Sequence, residues 1–180
     1  MRRLADADRI RVFMRALGET APAAGQAFVA GGATAVLMGW RPTTVDVDLK
    51  LVPDQDAVLR AIPRLKESLE LNVELAAPDD FIPVPSAWME RSPFITQEGR
   101  LTFRHFDLSS QALAKIERGH AQDLSDVQEL LSRELITRDR LLEDFAVIEP
   151  QLYRFPAIDP PSFRRAVEQV ARGLAPRARS

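Results

Sequence analysis

The sequence predicts an α/β (α+β) protein: a small mixed sheet flanked by helices, followed by a C-terminal helical bundle. Val45-Asp46-Val47-Asp48-Leu49-Lys50-Leu51 alternates strictly, the period of a half-buried strand. Ile10, Phe13, Met14 and Leu17 fall at i, i+3, i+4 and i+7, which is one face of a helix. Strand-like and helix-like runs mix up to residue 108, and only helical patterns follow. The expected organisation is a core over 1–108, a helical region over 109–175 packed on it, and a frayed tail over 176–180.

Each element has a local cause. Asp6 or Asp8 caps the first helix and Gly18 ends it. Gln26 to Ala30 is an apolar run of strand length that stops at Gly31-Gly32, and Ala33 to Met38 suits a helix ended by Gly39. The alternating strand places Val45, Val47, Leu49 and Leu51 on one side and Asp46, Asp48 and Lys50 on the other. Asp54 caps a helix reaching Leu69, with a kink or break expected at Pro63. Leu71 to Leu75 alternates again as a short strand. Residues 76–100, punctuated by Pro78, Pro83, Pro85 and Pro93, read as a long loop of the kind that carries function. Leu101 to Leu108 forms a further strand. Four helices follow, over 109–118, 123–134, 137–149 and 160–174, with Ser109, Asp123 or Ser125, and Thr137 as N-caps.

Composition narrows the chemistry. The 180 residues contain no cysteine, which excludes disulfides, thiolate metal sites and a cysteine nucleophile. Only His105 and His120 are histidines, so no His-rich metal cage is expected, and both are read as packing or surface residues. A formal net charge of -2 argues against indiscriminate coating of nucleic acid. Arginines nonetheless gather in residues 1–15 and 161–180, a pattern that suits phosphate recognition or a solvated face. No apolar run of membrane-spanning length and no charged-then-apolar leader is visible, so no membrane partner is expected and the expected location is the cytoplasm.

Asp46-Val47-Asp48 is the sharpest chemical feature. Two carboxylates at i and i+2 of a strand share a face, about 6–7 Å apart. Left alone they repel, and a divalent cation with a preference for oxygen ligands removes that penalty. Such pairs serve phosphoryl and nucleotidyl transfer, because cations between them stabilise the attacking and leaving oxygens. An Asp-x-Asp on the solvent face of an edge strand is common by itself; the neighbourhood gives this one meaning. Gly31-Gly32 stands at a strand-to-helix turn, where backbone N–H groups meet phosphate, and Arg41, Thr43 and Thr44 precede the acidic strand.

Phe28-Val29-Ala30-Gly31-Gly32-Ala33-Thr34-Ala35-Val36-Leu37, with Arg41, Thr43, Thr44 and Val45-Asp46-Val47-Asp48-Leu49, resembles the nucleotidyltransferase-fold superfamily, which includes DNA polymerase beta. The stretch Ala114 to Val127 and the tail around Tyr153 to Pro160 resemble an uncharacterised bacterial branch near the AbiEii-type toxin nucleotidyltransferases. The resemblance implies Asp46, Asp48 and a third acid as catalytic and metal-holding residues. Glu74 in Val73-Glu74-Leu75 is the first choice for the third, with Asp79, Asp80 and Asp107 as substitutes. It implies nucleotide binding by Gly31, Gly32, Arg41, Thr44, Lys115 and Asp123, while Asp126 reads as structural. Mg²⁺, with Mn²⁺ as a substitute, is the implied cofactor.

The expected activity is Mg²⁺-dependent transfer of NMP from an NTP to an RNA, protein or small hydroxyl acceptor. A role as the toxin of a toxin–antitoxin pair, with a cognate antitoxin as partner, belongs to the same expectation. The alternative is a catalytically idle nucleotide-binding or regulatory, antitoxin-like protein. A metal-dependent phosphohydrolase ranks last, since many such enzymes need a histidine-rich ligand set.

Overall fold

In the computed structural model, which describes residues 4–174, the first helix starts at Asp6, whose carboxylate accepts a hydrogen bond from the Arg9 amide at 2.9 Å. Helix α1 (Ala7–Gly18) buries Ile10, Phe13, Met14 and Leu17, the face their spacing predicts. It belongs to a compact unit made of residues up to Ala77 together with Ser92–Phe106. The unit continues with β1 (Gly25–Ala30), α2 (Gly31–Leu37), β2 (Asp46–Val52), α3 (Asp56–Ser68), β3 (Asn72–Glu74), β4 (Phe94–Glu98) and β5 (Leu101–His105). The strands form one mixed sheet in the order β3-β2-β1-β5-β4. β1 runs antiparallel to β2 and parallel to β5, β3 is parallel to β2, and β4 is antiparallel to β5.

The ladder sorts side chains between the two faces. Ala27, Val29, Val47, Leu49, Leu51, Val73, Leu101 and Phe103 join the helical residues Phe13, Leu17, Ala33, Val58 and Ile62 in one core. Each large apolar side chain removed from water there contributes roughly 1.5–3 kcal/mol. The opposite face is polar along β2 and β3, because residues paired across a ladder share a side: Asn72 with Asp46, Glu74 with Asp48, and Asp48 with Ala30. Phe28 and Phe106 meet edge to face at 6.3 Å.

Several expectations change. β2 begins at Asp46, and Val45, expected on the buried side, is exposed because it precedes the first laddered residue. α3 runs through Pro63 unbroken; its buried Val58, Ala61 and Ile62 hold it although the ring removes one backbone donor. Its N-cap is Gln55, not Asp54. The long loop contains β4, which pairs with β5 through a turn at Gly99. β4 carries no period-two signature, because its exposure does not alternate.

The second unit comprises Pro78–Arg91 and the chain from Asp107 onward. It contains a 3₁₀ turn (Pro78–Asp80), α4 (Trp88–Arg91), α5 (Leu108–Arg118), α6 (Ala121–Ser132), α7 (Arg138–Ile148), a 3₁₀ stretch (Glu149–Arg154) and α8 (Pro160–Ala171). α5 touches α6, α7 and α8, and Phe145 meets Phe163 edge to face at 5.0 Å. Asp107, rather than Ser109, caps α5, accepting from the Ser110 amide at 2.9 Å and its hydroxyl at 2.6 Å. α6 starts two residues earlier than expected, so Asp123 and Ser125 lie inside it, whereas Thr137 caps α7 as expected. The tail expected at 176–180 lies outside the described residues, as do Arg2, Arg3, Arg177 and Arg179. Among the described residues no helix is long and apolar enough to cross a membrane.

Candidate active site

The acidic strand and the glycine turn meet in the first unit. β1 delivers the chain to Gly31, whose φ of +62° is a left-handed conformation that glycine adopts without steric cost. The side chain of Asp48, paired with Ala30 across the ladder, lies directly over this turn. A Cβ on Gly31 would overlap the Asp48 Oδ2 atom, and a Cβ on Gly32 would overlap the Thr44 hydroxyl, with Arg41 Nη1 just beyond it at 3.3 Å. Two residues without side chains thus form the floor of a cradle walled by a carboxylate, a hydroxyl and a guanidinium.

Thr44 is held in place from both sides. Its backbone exchanges two hydrogen bonds with Ala5, at 2.8 and 2.9 Å, and its hydroxyl donates to the Asp46 carbonyl at 3.1 Å. Asp46 and Asp48 then follow at alternate positions, both half-buried on the polar face of the sheet. Glu74 stands beside Asp48 on β3 and is exposed. Asp46, Asp48, Glu74, Gly31, Gly32, Arg41 and Thr44 therefore all belong to the first unit.

This donor set suits a hard cation. Among the described residues no three carboxylate or imidazole side chains converge tightly enough to enclose an ion. Mg²⁺ does not require such a cage: it binds through one or two carboxylates and fills its octahedron with water and phosphate oxygens. Asp46 and Asp48 could supply that pair, and the absence of a side chain at Gly31 is what lets the Asp48 carboxylate sit against the turn.

Residues 8–146 match the family described as Nucleotidyltransferase of unknown function (DUF6036). The chain belongs to this nucleotidyltransferase family. The match supports the superfamily, and does not reach the finer AbiEii-type branch. No curated protein and no solved structure matches the chain.

The remaining residues expected to bind nucleotide, Lys115 and Asp123, lie in the second unit. Lys115 is buried on α5, and its ammonium donates to Asp126 Oδ2 at 2.6 Å and to Asp123 Oδ1 at 3.2 Å. Arg118 grips Asp123 with two further bonds, of 2.6 and 2.7 Å. Burial alone would raise the Asp123 pKa, but the hydrogen bond from Arg118 and the charges of Lys115 and Arg118 outweigh it and bring it below the ordinary value. These bonds join α5 to α6.

The sequence reading missed two contributors. Asn72 donates from its side-chain amide to Asp46 Oδ1; the available signal was Asn-x-Glu on the strand, repeating the Asp-x-Asp spacing. Thr34 on α2 donates to the Val29 carbonyl at 3.1 Å and meets Nδ1 of His105 at 3.1 Å. Since the Thr34 proton goes to Val29, its oxygen accepts from His105, which fixes the Nδ1–H tautomer. Burial holds His105 neutral, with its pKa lowered to about 4. This packing histidine ties β5 to α2, immediately behind the glycine turn.

Proposed function

We propose that the chain is a Mg²⁺-dependent nucleotidyltransferase that moves NMP from an NTP to a hydroxyl acceptor on RNA, protein or a small molecule. The observation that carries this reading is the fit of Asp48 against Gly31 and of Thr44 and Arg41 against Gly32, in a member of a nucleotidyltransferase family. Asp46 and Asp48 would hold Mg²⁺ (or Mn²⁺), which when bound supplies charge neutralisation of the triphosphate and polarisation of its phosphoryl oxygens. Backbone N–H groups at Gly31 and Gly32 would seat the phosphate chain, while Arg41 and Thr44 offer a cation and a hydroxyl to its oxygens. Glu74 is the third acid, completing the metal site or taking the proton of the attacking hydroxyl. The acceptor oxygen forms a bond to the α-phosphorus as the bond to pyrophosphate breaks. Lys115 and Asp123, also expected to bind nucleotide, hold α5 to α6 through their ion pair.

The test is incubation of the full chain with α-labelled NTPs, Mg²⁺ and total RNA or lysate. Transfer of label is expected, with loss in Asp46→Asn and Asp48→Asn. Absence of transfer, together with unchanged Mg·NTP binding in Asp46→Asn, overturns the reading. Tight Mg·NTP binding without transfer to any acceptor would instead favour the idle, regulatory alternative. The toxin role is tested by expression in a bacterial host: growth arrest is expected from the wild-type chain and not from Asp46→Asn.

A further inference from the structure

Asn72 opens β3 opposite Asp46 in the ladder, two residues before Glu74 on the same face. Its Nδ2 donates to Asp46 Oδ1 and lies 3.4 Å from Glu74 Oε1. Ionised carboxylates only accept, so the amide must turn its nitrogen, and not its oxygen, toward them. A neutral donor therefore stands between two negative groups.

We propose that Asn72 is a positioning residue for the cation site. It fixes the Asp46 carboxylate, and links it to Glu74, in the orientation that receives a divalent cation. This rests on the reading of Asp46 and Asp48 as cation ligands. The choice of residue type supports it. A ligating carboxylate on an open sheet face needs a partner to orient it, as outer hydrogen bonds do at metal sites generally. A lysine at this position would neutralise the carboxylates and compete with the cation. An aspartate would add a further negative charge and could not donate. The amide engages a single Asp46 oxygen, leaves Oδ2 open to a ligand, and carries no charge of its own.

The experiment is titration of the metal-free full chain with Mn²⁺ alone, followed by electron paramagnetic resonance, for the wild type, Asp46→Asn, Asn72→Ala and Asn72→Thr. Asp46→Asn should lose binding. Asn72→Ala should bind about tenfold more weakly with its melting temperature close to wild type, the usual scale for losing an outer partner of a metal ligand. Its transfer rate should recover as Mg²⁺ is raised, which a general structural defect would not allow. Wild-type Mn²⁺ affinity in Asn72→Ala, beside lost binding in Asp46→Asn, overturns the role of Asn72 and leaves the metal reading intact. Unchanged affinity in Asp46→Asn overturns the metal reading and this inference with it. If Asn72→Ala does not fold, Asn72→Thr, a β-former with a shorter donor, gives the answer: weakening of about threefold or more is expected, and wild-type affinity refutes the proposal.

Discussion

The carboxylate of Asp48 fills the space that a methyl group on Gly31 would require. Asp48 stands on β2, whereas Gly31 opens α2 directly after β1 and is also left-handed at φ +62°. Gly31→Ala therefore meets two penalties, backbone strain of about 1–2 kcal/mol and displacement of Asp48. Denaturant unfolding should show a loss of roughly 2 kcal/mol or more, with Mg·NTP binding abolished. In the double variant Gly31→Ala/Asp48→Ala part of that stability should return while binding does not. Strict additivity of the two changes would refute the contact.

Lys115 faces two buried carboxylates. Lys115→Met leaves Asp126 without this ion pair, and breaking a buried pair costs about 3–5 kcal/mol. Urea unfolding should record that loss, and Asp126→Asn in the Lys115→Met background should recover part of it. An unchanged midpoint would show that the ammonium is not bound as the geometry has it.

Stability should fall on acidification because of His105. Its folded pKa, about 4, lies below the ordinary 6.5, so between these values the unfolded chain takes up a proton that the folded one refuses. The stabilisation is complete above pH 6.5 and declines toward pH 4, by an amount on the order of 3 kcal/mol. His105→Asn keeps a donor toward Thr34 but has no proton to gain, so its stability profile over this window should be flatter than that of the wild type. Identical profiles would contradict the assignment.

Arg91 joins α5 to α7 in the second unit by splaying its guanidinium, with Nη2 at 2.6 Å from Asp107 and Nη1 at 2.9 Å from Asp144. Burial lowers its pKa, but the hydrogen bonds and charges of Asp144 and Asp107 more than compensate and leave it raised. Arg91→Lys should cost about 1–2 kcal/mol in thermal or chemical unfolding, because an ammonium is a point charge that does not reproduce the fork. Arg91→Ala should cost more, since two carboxylates then lose their common partner. Equal stability of the lysine variant and the wild type would show that the fork geometry is immaterial.

The cradle was legible in the sequence because its parts are adjacent or periodic. Gly31-Gly32 ends a strand-like run, and Asp46 and Asp48 share a face at any register of β2. Asn72 was not legible, since its role depends on pairing with Asp46 rather than Val47, and a slip of one residue would put it on the other face. β4 was hidden for a related reason: β5 supplies the partner that makes Phe94–Glu98 a strand. The capping of α5 by Asp107 was masked by Ser109 and Ser110, which are equally good cap residues in isolation.

By itself the sequence determined the fold class, the helical face of α1, the acidic strand and the glycine turn, all of which follow from short-range spacing and the steric freedom of glycine. Tertiary structure alone decided the neighbours. It set Asp48 over Gly31, Asn72 beside Asp46, and Lys115 between Asp123 and Asp126. Periodicity says which way a side chain points, whereas ladder register and helix packing say what it meets there.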